Sequence, residues 1–174
     1  METTRDRAGT VAVRESDLVV VAVDGSAASV RALVWAFEEA ASQGMRVEVL
    51  TTWPLHGPVF VREVSGHFCE PRWEAREAQA QATAEALAVV MDQPPHDLRM
   101  ENARLFEALS RVIAVARPAL VVLGSDQATE GEPDPRRLTV QVRRNFPRRV
   151  VVIGPNGPVE RDAGVPAPHA GRSG

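Results

Sequence analysis

The sequence predicts an α/β fold: one doubly wound domain around a five-stranded parallel sheet in the order 3-2-1-4-5, with helices on both faces. Three observations carry this expectation. Short β-branched runs alternate with stretches of helical periodicity through most of the chain. The runs are continuously apolar, as strands covered on both faces should be. Glycine-containing turns, Asp24-Gly25-Ser26 and Gly124-Ser125, close the first and fourth runs. With right-handed crossovers and a reversal of winding after the third strand, those turns become neighbours at the carboxyl edge of the sheet, where such a sheet has its crevice.

Residues 1–16 alternate Thr, Arg, Asp and Gly without periodicity and read as a flexible arm before a domain spanning 17–155. Residues 18–23 (LVVVAV) form the first strand. A helix follows over 27–43, with Val30, Leu33, Val34, Phe37 and Ala41 on one face. Gly44 stands where a helix C-terminal glycine belongs. Residues 47–52 are the second strand, and 54–71 a loop with Pro, Gly and His. Trp73, Ala80, Ala84, Leu87 and Met91 then recur at helical spacing as a core-facing stripe, ended by Pro94-Pro95. A weaker third strand covers 98–102. The next helix turns Leu105, Leu109, Val112, Ile113 and Ala116 inward and stops before Pro118. Residues 120–123 are the fourth strand. A polar loop, a short helix carrying Leu138, Val142 and Phe146, and a strand over 149–153 complete the pattern. The stretch 155–174 has four Pro, four Gly and almost no large apolar group, so 156–174 reads as a disordered tail.

Composition narrows the function. Hydrophobic residues make up 44% and charged residues 25%, as in a soluble globular domain. Twenty basic against 23 acidic side chains leave a net charge of −3, which gives no general attraction to nucleic acid or an anionic membrane. Every basic residue is Arg. The absence of Lys excludes a Walker-type phosphate lysine, a Schiff-base lysine and a lysine general base. Cys69 is the single cysteine and makes no internal disulfide, which favours a reducing cytoplasm. No apolar run approaches the roughly 18–20 residues of a membrane span. The N-terminal METTRDRAGT lacks an apolar signal core, so export is not expected.

The runs VVVAVDGSAASVRALVWAFEEA, VEVLTTW, ARPALVVLGS and FPRRVVVIGP, in that order, resemble the universal stress protein family over about residues 18–155. The resemblance implies a small cytoplasmic α/β domain, homodimeric through its last strand and tied to stress survival, not to a defined reaction. Some members bind ATP. The acid after their first strand contacts the nucleoside, and Asp24 matches it, with Gly25 and Ser26 in the same turn. Thr52 falls at the end of the second strand, where the adenine packs. Their phosphates lie on a motif of spaced glycines followed by Ser or Thr, because glycine lets backbone N–H groups approach phosphate oxygens. Gly124 matches its first glycine and Ser125 follows as usual. Gln127 stands at the second glycine, and Leu138 at the third if one residue is inserted, with Thr139 at the hydroxyl position. Between them, Asp126, Glu130, Glu132 and Asp134 oppose a triphosphate, and Pro133 and Pro135 stiffen the loop. Gly131 and Arg136 or Arg137 are the partial compensations.

Each sharp reading has a plainer rival. A loop Asp beside Gly is also an ordinary turn and helix-entry residue, and Ser26 is a natural N-cap with no nucleophile elbow around it. His56, His67, Cys69 and Glu70 share one loop, but their spacing fits no common zinc pattern. Cys69, His96 and His169 carry no further signal. Arg136, Arg137, Arg143, Arg144, Arg148 and Arg149 make a basic stretch with Phe146 as its sole aromatic, which favours a solvated face over a nucleic-acid surface. An adenylating or pyrophosphatase-type enzyme would need a phosphate loop after the first strand or an H-x-G-H signature, and neither is present. Val150, Val151, Val152 and Ile153 form an apolar edge that a second copy would cover by pairing, giving a two-fold dimer. The expectation is a non-catalytic stress-response protein acting through partner or small-ligand binding, with a degenerate adenine-nucleotide pocket. The alternative is an ATP- or AMP-binding switch with an unconventional phosphate loop.

Overall fold

The computed structural model describes residues 16–53, 69–125, 135–146 and 149–158. The arm read over 1–16 (save Ser16), the loop 126–134 with its charges, and the tail beyond Pro158 lie outside the described residues. Six strands form one sheet: β1 (Ser16–Ala22), β2 (Arg46–Thr52), β3 (His96–Glu101), β4 (Pro118–Gly124), β5 (Arg149–Gly154) and β6 (Gly157–Pro158). Their order is β3-β2-β1-β4-β5-β6. The first five are parallel, in the expected order, and β6 joins β5 antiparallel.

Helices α1 (Ala27–Gln43) and α2 (Glu70–Val89) cover one face, α3 (Leu105–Ala116) and α4 (Pro135–Asn145) the other. Strand alternation divides the core between them. Val19, Val21 and Val23 pack with α1 and α2, whereas Leu18, Val20 and Ala22 pack with α3 and α4. This is why the first run is apolar at every position. Burying each such Val or Leu stabilises the fold by about 1.5–3 kcal/mol.

Helix α1 has the bounds the sequence predicts and both expected ends. Ser26 Oγ accepts the Ser29 N–H at 3.2 Å. At the other end Gly44 adopts φ 66°, its N–H bonds Ala41 O, and Met45 N–H bonds Ala40 O at 2.9 Å. That is a Schellman closure, and a side chain at Gly44 would strain it. The buried face differs from the expected one: it holds Ala28, Ser29, Ala32, Leu33, Ala36, Phe37 and Ala40. Val30 and Val34 are half-buried on the flank. Alanines let the helix lie close on the sheet, so the smallest residues face inward.

The same effect overturns the stripe expected on α2. Trp73 is 51% and Met91 95% exposed, and Ala80 and Ala84 also face solvent; only Leu87 packs partly against the core. The buried residues are Gln79, Ala82, Thr83 and Ala86, one residue around the helix from the large apolar ones. Gln79 holds the helix down. Its Nε2 donates to Val49 O (2.9 Å) on β2 and Arg99 O (3.0 Å) on β3.

Strand β3 is an edge strand with Leu98 and Asp97 exposed. Glu101 accepts from Arg111 Nη2 (2.7 Å) on α3 and from Arg99 Nε (2.8 Å) beside it. Burial works against the charged form of Glu101, but the hydrogen bonds from Arg111 and Arg99 and their positive charge hold its carboxyl below the ordinary 4.5. Helix α3 buries Leu105, Ala108, Leu109, Val112 and Ile113 and ends at Arg117 (φ 47°), which Pro118 keeps out of the helical region. On α4, Leu138 and Val142 are buried and Phe146 packs partly against the same core.

Strand β6 was not expected. Residues Gly157 and Pro158, read as tail, fold back on β5 with Gly154 opposite Gly157 and Ile153 opposite Pro158. The physical cause is the turn Pro155-Asn156-Gly157: proline presets φ, and Gly157 takes the positive φ of 111°.

Candidate functional site at the carboxyl edge of the sheet

Three adjacent strands, β2, β1 and β4, end within two residues of one another. Ala22 pairs with Leu50 and Val21 with Val122, so continuing the register brings Asp24 level with Thr52 and Ser125. The expected residues Asp24, Gly25, Ser26, Thr52, Gly124 and Ser125 therefore share one edge of the fold. Thr139 is half-buried on α4, between buried Leu138 and exposed Val140.

The turn after β1 is tightly determined. Asp24 Oδ1 accepts the Ser26 N–H at 2.9 Å, Ser26 Oγ caps α1, and Ser29 Oγ donates back to Ser26 O at 2.9 Å. Both plain readings of Asp24 and Ser26 hold, as turn residue and N-cap. They do not use up the carboxylate: Asp24 is half-buried, and the turn bond from Ser26 N–H goes to its Oδ1 alone. Gly25 has φ 83°, and a Cβ there would lie 2.9 Å from Ala78 Cβ of α2. The turn thus needs glycine twice, for its conformation and for the helix above it.

Gly124 is confined as closely. A Cβ on it would stand 2.8 Å from Ala28 C and 2.9 Å from Ala28 O, in the first turn of α1. Ser125 N–H donates to Ile153 O at 2.9 Å. The first glycine of the expected phosphate motif is hence occupied with helix packing, and the next amide is committed to β5. Leu138, at the third glycine position, is buried in the core. Gln127 and Gly131 lie outside the described residues.

Strand β2 contributes two residues that sequence reasoning missed. Thr51, not Thr52, is buried, and its Oγ1 donates to Val23 O at 2.9 Å, tying β2 to the chain just before Asp24. By alternation, half-buried Thr52 faces the side of α3 and α4. Trp53 is buried next to it, its N–H bonding Glu101 O, with the Arg72 guanidinium 5.8 Å from the ring centroid. Nothing in the sequence distinguished Thr51 from Thr52 except the phase of the strand.

Beside the turn lies a cleft of about 170 Å³ between α1 and α2, lined by Asp24, Gly25, Val30, Ala78, Gln81, Ala82 and Glu85. Gln81 Nε2 donates to Glu85 Oε1 along its α2 wall. Of the four residues whose spacing fits no common zinc pattern, His56 and His67 lie outside the described residues, Cys69 is half-buried and Glu70 exposed. No group of three metal-ligating side chains occurs among the described residues. The His96 ring lies against Phe37 at a tilt of 48° with centroids 5.3 Å apart, and its Nδ1 is 3.2 Å from Pro94 O. No described helix is long and apolar enough to cross a membrane.

A parallel sheet wound in both directions, with a polar turn and a glycine at its switch point, defines the class of doubly wound α/β proteins, in which the crevice lies at the strands' carboxyl ends. Within that class the chain belongs to the universal stress protein family, whose model matches residues 16–154. Solved structures agree on the fold. A universal stress protein in complex with cAMP matches with a TM-score of 0.59 at 19% identity, over 81% of this chain and 98% of that one. The Archaeoglobus fulgidus universal stress protein in complex with dAMP gives 0.57 at 19% identity, over 80% and 98%. UspA of Lactobacillus plantarum gives 0.57 at 15%, over 80% and 99%. Comparison with curated protein sequences finds no match.

Proposed function

We propose that this universal stress protein is a non-catalytic, homodimeric binding protein whose degenerate pocket takes an adenine mononucleotide in preference to a triphosphate. The carrying observation is the common level of Asp24, Thr52 and Ser125, with Gly124 one residue before, at or just past the ends of three adjacent strands, and a carboxylate oxygen of Asp24 left over from the turn. The cAMP and dAMP complexes of proteins with this fold support the ligand class.

The residues present fit the nucleoside better than the phosphates. Asp24 supplies an acceptor for sugar hydroxyls, and Gly25 and Ser26 hold it in place. Thr52 borders the base, and Thr139 offers a hydroxyl from α4. On the phosphate side, the close approach that glycine permits at Gly124 is already filled by α1 backbone, and the Ser125 amide bonds Ile153. A triphosphate therefore gains little over a single phosphate. The bound nucleotide supplies a recognition signal, not chemistry, and no described side chain pair forms a nucleophile and base at this edge. A second copy would cover the β5 edge at Val150, Val151, Val152 and Ile153, and the single cysteine suits a reducing, cytoplasmic setting.

Calorimetric titration of nucleotide-stripped protein with AMP, ADP and ATP tests the reading. AMP binding in the micromolar range, with ATP no tighter, is expected. Asp24→Asn keeps the turn acceptor and removes the charge, and should weaken AMP at least tenfold, the loss of roughly 1.5–3 kcal/mol for a hydrogen bond to a charged group. ATP binding ten times tighter than AMP would favour a switch with an unconventional phosphate loop. No heat from any nucleotide would leave a partner-binding module.

A further inference from the structure

We infer that the β5–β6 hairpin and a second copy of this chain compete for the same sheet edge, so that the C-terminal segment sets the strength of dimerisation. The inference rests on the proposed pairing through β5. Strand β5 has six residues, and their backbone groups alternate in direction as in any parallel ladder. Ser125 N–H bonds Ile153 O, so Ile153 and its odd-numbered neighbours face β4. The residues that present N–H and C=O outward are Val150, Val152 and Gly154.

Strand β6 lies against the end of this outward row. Gly157 stands opposite Gly154 and Pro158 opposite Ile153. Among the described residues, Val150 and Val152 keep their outward groups. With β6 in place a second strand has four residues of β5 to pair with, 149–152, and without it all six. Strand β6 also makes a poor template itself. It is two residues long and one of them is proline, which has no N–H to donate. A short, proline-bearing edge is how sheets end without recruiting a neighbour.

The hairpin is held lightly. A Cβ on Gly157 would meet nothing within 4 Å, so this residue matters through its φ of 111° and not through packing. Gly157→Pro forbids that φ and removes the amide, while leaving both cores untouched. In the full-length chain it should free the whole of β5 for a partner.

The test is sedimentation velocity over nanomolar to micromolar concentrations on the wild-type chain, Gly157→Pro, and Gly157→Pro with Val150→Pro. The second substitution deletes an outward amide that the monomer does not need but a paired strand does. The inference expects Gly157→Pro to tighten the dimer about tenfold, the equivalent of roughly 1.4 kcal/mol, and Val150→Pro to reverse the gain. Unfolding midpoints within a few degrees of wild type show that all three are folded. A dimer of unchanged strength in Gly157→Pro, still abolished when Val150→Pro is added, overturns the competition but leaves pairing through β5 standing. Monomers throughout overturn both.

Discussion

Gly124→Ala is the substitution for which the structure makes the sharpest demand. The added Cβ would sit 2.8 Å from Ala28 C, 2.9 Å from Ala28 O and 3.0 Å from Ser29 N. Ordinary contact for such a carbon begins near 3.4 Å, so the first turn of α1 must retreat by about half an ångström. All three contacts are backbone, so no side-chain rotation relieves them. Overpacking of this kind costs about 1–3 kcal/mol. For a domain of this size each kcal/mol lowers the unfolding midpoint by roughly 2–6 °C, so calorimetry should show a drop of about 2–18 °C. Gly44→Ala is the control: it also loses a glycine, but pays only for φ 66° with nothing within 4 Å, roughly 1–2 kcal/mol. The two mechanisms separate in a second readout. Retreat of α1 disturbs the Asp24 turn, so Gly124→Ala should weaken AMP binding, whereas Gly44→Ala at the far end of the helix should not. If Gly124→Ala melts with the wild type and binds like it, the close approach is not a constraint and the assignment of Gly124 to helix packing fails.

Other substitutions probe the remaining contacts. Gln79→Leu removes both bonds from α2 to β2 and β3 and should cost about 1–3 kcal/mol by denaturant titration. Gln79→Glu should cost more at neutral pH and recover as pH falls, because a carboxylate facing the carbonyls of Val49 and Arg99 repels them until protonated. Ser26→Ala deletes the α1 cap and should cost roughly 1 kcal/mol, with Ser26→Asp largely restoring it. Glu101 has a folded pKa below its unfolded value near 4.5, so its contribution is complete above that pH and is lost as pH falls through the folded value. Stability of the wild type should therefore decline more steeply than that of Glu101→Gln below about pH 4.5, and equal slopes would refute the role of Arg111 and Arg99.

The strands were legible because a parallel sheet covered on both sides leaves a plain mark: LVVVAV and LVVL are apolar at successive positions, and their ends carry Gly. The bounds of α1 were legible through Ser26 and Gly44, residues with specific backbone duties. Helix faces were harder. On α2 the eye follows Trp73, Leu87 and Met91, yet the buried line is Gln79, Ala82, Thr83 and Ala86. Close helix packing selects for small size, which scores as weakly hydrophobic, and Gln79 faces inward because its amide has two carbonyls to meet. A hydrophobic pattern cannot register either reason. The hairpin of β5 and β6 escaped notice because a proline- and glycine-rich composition masks a two-residue strand, although Pro155-Asn156-Gly157 is a turn sequence in its own right.

The turn after β1 was legible for a different reason: the residues that build it are also ones proposed to bind. Asp24, Ser26 and Gly124 each carry a measurable structural load, on Ser26 N–H, Ser29 N–H and the Ala28 backbone respectively. A family resemblance at these positions therefore identifies the fold before it identifies a ligand, since the fold would retain them with the pocket empty. Thr52 differs: it is half-buried at the end of β2, and it is Thr51 whose hydroxyl ties that strand to the chain before Asp24. The two edges of the sheet extend this contrast between structural and functional duty. At β3 the edge is guarded by charge, with Asp97, Arg99 and Glu101 along the strand and Arg111 reaching across to Glu101. At β5 the guard is two residues of the chain's own C-terminal segment, held by one turn. Charged side chains along a strand repel any partner at every moment, whereas a hairpin of two residues can open. On the proposed pairing, a sheet guarded by charge at β3 and by a two-residue hairpin at β5 leaves β5 as the edge at which association is open to regulation.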